Sequence, residues 1–174
     1  MIYDSKERYG VITRVFHWGM AILIFWQMLT VASRVALEDT AVEAFFWATH
    51  KPLGALLLVL IALRIVWALL NLSRRPPSVS LGARLGHIVL YALMLAIPVI
   101  GLLRQYGSGR SFEPFGIALF SGFETPQIEW MVSLGNQIHG SLGWLLFVLI
   151  AGHIIMAYWH KRPGHVDVMR RIVR

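Results

Sequence analysis

Histidine carries most of the chemistry available to this sequence. Its 174 residues include seven His and no Cys, which excludes disulfides, thiolate metal sites, iron–sulfur clusters and Cys nucleophiles together. His17, His50, His87, His139 and His153 lie in or at the edge of long apolar runs, where an ionisable side chain is costly and marks function. His139 and His153 are fourteen residues apart. At about 100° per residue that is about 40° short of four turns, so on one helix they share a face, about 21 Å apart along the axis. The spacing leaves room for two cofactors, one toward each end of the helix. His50, at the start of the second apolar run, matches His139 in depth, and His17, at the start of the first, matches His153.

A pair of neutral imidazoles from facing helices, with no Cys or carboxylate beside them, suits a haem iron held on both faces. Zinc would want about four ligands converging at one depth, and here they divide two and two. A porphyrin lying against a helix also needs small residues beside its ligand. The residues four places after the proposed ligands are Ala21, Gly54, Gly143 and Ala157. The same position after His87 is Tyr91, so His87 is not expected to ligate despite a depth similar to that of His17. The competing reading is interfacial histidines with small residues that let helices pack.

Arg64 lies fourteen residues after His50 and would share its helix face at the depth of the His17–His153 pair. A buried guanidinium needs an anion, and the apolar runs hold no Asp or Glu. Haem propionates would supply one, bound through the bidentate fork of arginine; otherwise the side chain snorkels to the headgroups. Arg104 ends the third run and is the corresponding candidate for the second haem.

The elements that must position these residues are membrane helices. The chain is 57% apolar and 14% charged, against about 45–50% and about 25% in a soluble domain. A span needs about 20 mostly apolar residues, and four stretches qualify, at about 15–33, 52–71, 85–103 and 138–159. The expected fold is an all-α integral membrane four-helix bundle, a single domain over 1–174, with two haems stacked between the helices. Eleven of the 16 basic residues fall in the N-terminal arm, the second connector and the tail. The other two connectors hold four basic and six acidic residues. The positive-inside rule then places both termini in the cytoplasm. The net charge of +7 is accounted for by topology, and no nucleic-acid partner is expected. The first span is longer than the usual signal-peptide core of about 7–15 residues, so Val31-Ala32-Ser33 is read as helix rather than cleavage site.

Taken in order, Arg8-Tyr9-Gly10, Phe16-His17-Trp18, His50-Lys51-Pro52-Leu53-Gly54, Leu63-Arg64-Ile65-Val66-Trp67, Gly86-His87 with Tyr91, Gly101, His139 and His153 resemble the bacterial cytochrome b-561 family. These are four-helix di-haem proteins of the bacterial inner membrane, related to the cytochrome b subunits of nickel–iron hydrogenases. The resemblance covers nearly the whole chain. It implies two haems b, with iron ligands from the first helix, the second, and twice from the fourth, matching His17, His50, His139 and His153 in the pairing given above. It also implies electron exchange with ubiquinone near the cytoplasmic haem. His87 and His160, beside Arg84 and Lys161, are then candidates to bond quinone carbonyls and deliver protons. His165, in the tail, is expected to be solvated.

The expected function is one-electron transfer across the bilayer, from a periplasmic donor to ubiquinone. The donor is superoxide, which would make the protein a superoxide:ubiquinone oxidoreductase, or else a protein. Lys51, Arg34, Arg104 and Arg110 offer a mouth that would steer an anion, although the two periplasmic connectors together carry a net negative charge. The alternative is a haem-bearing membrane anchor for a peripheral dehydrogenase or hydrogenase. Its docking surface would lie on the connector from Arg104 to Glu129, with Phe112, Phe115, Phe120, Phe123 and Trp130 exposed. A histidine-lined metal transporter would want carboxylates within the spans, and there are none.

Overall fold

The computed structural model describes residues 1–124 and 126–173. The fold is all-α. Four helical stretches are long and apolar enough to cross a membrane: α1 (Val11–Ala36), α2 (Ala41–Leu70), α3 (Leu81–Gly107), and the continuous helical run Glu129–Trp159. That last run comprises α4 (Glu129–Leu134), one π turn (Gly135–His139) and α5 (Gly140–Trp159). A short α6 (Met169–Val173) follows.

All four helical runs exceed the bounds that hydropathy suggests, and side-chain caps start two of them. Thr40 accepts the Glu43 amide and Ser80 the Ala83 amide, each satisfying one of the free donors at a helix start. The second span therefore starts at Ala41 rather than at Pro52, which lies inside α2. A proline in mid-helix removes one backbone bond, a loss that membrane helices tolerate where side chains or neighbouring helices re-satisfy the freed group. His50 is consequently well inside its helix, not at its tip.

The helices pack in chain order: α1 on α2, α2 on α3, and α3 on α5. Their core is small, with Met20 and Ile61 fully buried and Leu57 beside them, joined by partly buried Leu23, Leu53 and Tyr91. Among the long helices α5 packs closely only on α3, and none of its residues is buried. α5 makes few close contacts with α1 and α2, and His139 and His153 face His50 and His17 across the cleft left between them.

Both termini and the α2–α3 connector meet at one end. The Tyr9 amide donates to the Arg171 carbonyl at 2.9 Å, the Trp18 indole to the Ile172 carbonyl at 3.3 Å, and the Arg171 guanidinium to the Pro77 carbonyl at 2.9 Å. Asp4, its side chain fully buried, pairs with Arg75 at 3.0 Å and accepts from the Gly10 amide and the Thr13 hydroxyl. Burial beside this cluster pushes the Tyr9 hydroxyl up from its usual range, against the opposing pull of Arg75.

At the other end the connector between α3 and α4 folds on itself. Phe112 and Phe120 form an isolated β-bridge, and Phe120 and Phe123 set their rings against Tyr106 at 5.4 and 5.7 Å. This corrects the expectation that all five aromatics of the connector are exposed. Phe112 is 7% exposed, and Phe120 and Phe123 are half-buried, because the rings bury one another. Only Phe115 (66%) and Trp130 (60%) remain exposed. Phe115 sits at φ 58°, ψ 29°, a left-handed conformation that is strained for an aromatic residue.

Candidate haem sites

The cleft holds two histidine pairs, one toward each end. At the end away from the termini, His50 of α2 and His139 at the close of the π turn bring their ring centres to 6.2 Å. At the end that carries the termini, His17 of α1 and His153 of α5 stand 6.4 Å apart. Two imidazoles on opposite sides of one first-row metal, each nitrogen about 2 Å from it, have ring centres about 6.3 Å apart. Both pairs have that separation, and from His139, the last residue of the π turn, the chain continues as regular α-helix through His153.

The surroundings of the first pair set which nitrogen faces the cleft. His139 Nδ1 lies 3.0 Å from the Ile97 carbonyl, so it donates, and the lone pair rests on Nε2. Gly101 makes this seat possible, since a Cβ there would lie 2.9 Å from the His139 ring. His50 Nδ1 lies 2.7 Å from the Thr30 hydroxyl, which itself donates to the Gln27 carbonyl at 2.7 Å. The Thr30 oxygen therefore accepts from His50. The Gln27 amide donates to the His50 carbonyl at 3.0 Å, and Trp47 stacks on the ring at 4.7 Å.

The second pair has a different setting. The Arg64 guanidinium reaches to 3.4 Å from His17 Nδ1, bonds the Tyr91 hydroxyl at 3.0 Å and lies over the Tyr91 ring. Arg64 thus lies beside His17 of this pair. His87 approaches His153 from α3 with ring centres 5.4 Å apart, less than the separation of two imidazoles across a metal. His160 bonds the Met156 carbonyl of its own helix and packs on His165 at 5.9 Å. The structure does not join His87 to His160; each has another histidine as its ring neighbour. His165 is exposed.

The remaining candidates divide as well. Beside Gly143 nothing lies within 4 Å of a Cβ position, and at Gly54 the Gln27 amide lies 3.6 Å from one. Ala157 is half-buried and Ala21 exposed. Arg104 bonds Asn136 at 2.7 Å, and its stem lies where a Cβ on Gly135 would be. Arg34 is not part of a cationic mouth: it pairs with Glu43 at 2.7 Å, and its guanidinium lies over Trp47. Lys51 bonds the neutral Gln105, and among the described residues Lys51, Arg104 and Arg110 make no ion pair. No group of three or more His, Asp or Glu placed to hold a metal ion occurs among the described residues.

These features fit haem. The donor set is two opposed imidazoles per site, with the outward nitrogen free at His139 and His50. Beside Gly143, four residues after His139, no atom stands within 4 Å of a Cβ position, and among the described residues the Arg64 guanidinium at the second pair makes no ion pair with a carboxylate. Sequence reasoning missed the Thr30–Gln27 support of His50. The polar pair in an otherwise apolar span was its only trace.

The comparisons agree with this chemistry. The model of the family described as prokaryotic cytochrome b561 matches residues 8–174. Cytochrome b561 homolog 2 of Escherichia coli (strain K12) is 29% identical over 186 aligned positions, covering 98% of this chain and 93% of that protein. Cytochrome b561 homolog 1 of the same organism is 31% identical, over 64% of this chain and 65% of its own length. The probable superoxide oxidase CybB of Yersinia pestis is 25% identical, over 65% and 66% respectively. The chain belongs to the prokaryotic cytochrome b561 family, and is a membrane electron-transfer cytochrome b.

Proposed function

We propose that this cytochrome binds two haems b and carries single electrons across the bacterial inner membrane to ubiquinone, with superoxide as the periplasmic donor. The observation that supports it is the pairing of His50 with His139 and of His17 with His153 at 6.2 and 6.4 Å in one cleft. In this reading these four residues would hold the two irons. An iron held by imidazole on both faces cycles one electron without an open position for oxygen. The clustering of both termini with the Arg74-Arg75 connector at one end supports a cytoplasmic placement of that end.

The side chains then have definite work. Lys51, Arg104 and Arg110, which make no ion pair among the described residues, give the mouth near His50 a local positive field that draws an anion, whatever the net charge of the connectors. Two superoxide ions each give up one electron and leave as dioxygen. One ubiquinone takes those two electrons and two protons to become ubiquinol. Arg64 and Arg104 bind propionates in this scheme. His87 and His160, at the terminal end, bond quinone oxygens and pass protons. Gly54, Gly143, Ala21 and Ala157 keep the faces beside the ligands open.

The first test is an absorption spectrum of the purified chain with haem counted per polypeptide: two b-type haems are expected, and none would end the reading. Superoxide consumption should be fast and should slow as ionic strength rises. A chain that holds two haems yet consumes no superoxide would instead be the haem-bearing subunit of a peripheral dehydrogenase or hydrogenase. The exposed Phe115 and Ile117 favour that second reading as docking residues.

A further inference from the structure

The two histidine pairs differ in what stands behind them. Behind His50 is a short relay of neutral groups from α1: the His50 Nδ1–H donates to Thr30 Oγ1 at 2.7 Å, and the Thr30 hydroxyl proton goes to the Gln27 carbonyl at 2.7 Å. The Gln27 amide closes the loop on the His50 carbonyl at 3.0 Å. Thr30 is 0% exposed, so water cannot replace its oxygen. With its own hydrogen given to Gln27, the Thr30 oxygen accepts from His50 Nδ1 at 2.7 Å, the shorter of the two contacts at that nitrogen (the Gln27 amide nitrogen lies at 3.2 Å), and this favours the tautomer with its lone pair on Nε2. Nothing comparable stands behind His17, where a guanidinium approaches Nδ1 at 3.4 Å; a cation donates and cannot accept.

We propose that Thr30 and Gln27 are positioning residues that fix the tautomer of His50 and raise its basicity, and so hold down the reduction potential of the haem it shares with His139. The proposal rests on the ligation read above. An acceptor on the far nitrogen gives a ligating imidazole more donor strength, which favours the ferric over the ferrous state. The Ile97 carbonyl does the same for His139. The periplasmic haem then has the lower potential of the two, and electrons run downhill toward the quinone end. Thr30 touches neither the iron nor a substrate; it acts through His50.

The test is a redox titration of the purified cytochrome, with both haems resolved by absorbance, and electron paramagnetic resonance of the ferric form. Thr30→Val keeps the shape and removes the acceptor. It should raise one midpoint potential, leave the other in place and shift the resonance of one haem only. Thr30→Ser should restore both. Loss of one haem alone in Thr30→Val would also uphold the positioning role. Two haems with unmoved potentials and unmoved resonances would overturn it. If Thr30→Val does not accumulate, Thr30→Cys takes its place with the same outcomes, since sulfur is a weak acceptor. His50→Ala separates the two levels of the argument: if it retains both haems, the ligation itself is wrong, whatever Thr30 does.

Discussion

At the scale of single residues, the imidazoles and the space around them decide the chemistry. His139→Ala and His50→Ala should each remove one haem and spare the other, counted per chain by absorbance; retention of both would break the pairing. Gly101 is the sharper probe. Its missing side chain is the seat of His139, so Gly101→Val should eject or displace that ring and cost the same haem, although Gly101 ligates nothing. Arg64→Ala should perturb only the haem of His17 and His153, and matching titrations of both haems would remove its propionate role. His87→Ala should keep both haems and slow quinone reduction. At this scale the sequence was largely legible, because intramembrane histidines are rare and their depths can be read from spacing. What it hid were partners brought from another helix. That Thr30 stands behind His50 depends on how α1 and α2 are rotated against each other, and no local pattern encodes that rotation.

At the scale of elements, helix existence could be read and helix extent could not. Hydropathy finds the stretch that must be dry, while caps at Thr40 and Ser80 and interfacial aromatics carry the helix beyond it. The π turn at Gly135–His139 is the clearest case of something unreadable. It places His139 at the junction of two helical registers, as such turns often do at functional sites, with Gly135 admitting the Arg104 stem. The α3–α4 connector shows the opposite failure: a count of aromatic residues suggests a sticky surface, yet most of them bury one another. Phe115 remains as the strained exception. Phe115→Gly, which suits a positive φ, should raise thermal stability by about 1 kcal/mol, measured as a higher melting temperature of the haem-loaded protein. If the variant loses a docked dehydrogenase or hydrogenase instead, the aromatic ring is there for a partner.

For the whole molecule, the packing of α5 is the informative property. Among the long helices it packs closely only on α3, and its histidines meet His50 and His17 only at ring-centre separations of 6.2 and 6.4 Å. Ligand that binds only the folded state adds to stability by mass action. Haem-depleted protein should therefore melt well below the loaded form, and the gap should narrow in His139→Ala. The terminal end is held by polar bonds. Asp4→Ala would leave the largely buried Arg75 without its carboxylate, at a cost of about 3 kcal/mol, seen as early loss of protease resistance at the N-terminal arm. The division of charge between the two ends was legible in the sequence, while the clasp of the two termini was not, because it joins residues with the longest separation in the chain.

That clasp also bears on how the protein is made. Tyr9 and Trp18 leave the ribosome long before their acceptors on Arg171 and Ile172. The N-terminal arm can hold Arg75 through Asp4 once the second span is in place, but its bonds to the tail must wait for all four spans. Docking of the tail on the arm thus follows insertion of all four spans, and a chain stopped short of α6 would lack this second hold on its arm and be more open to membrane proteases.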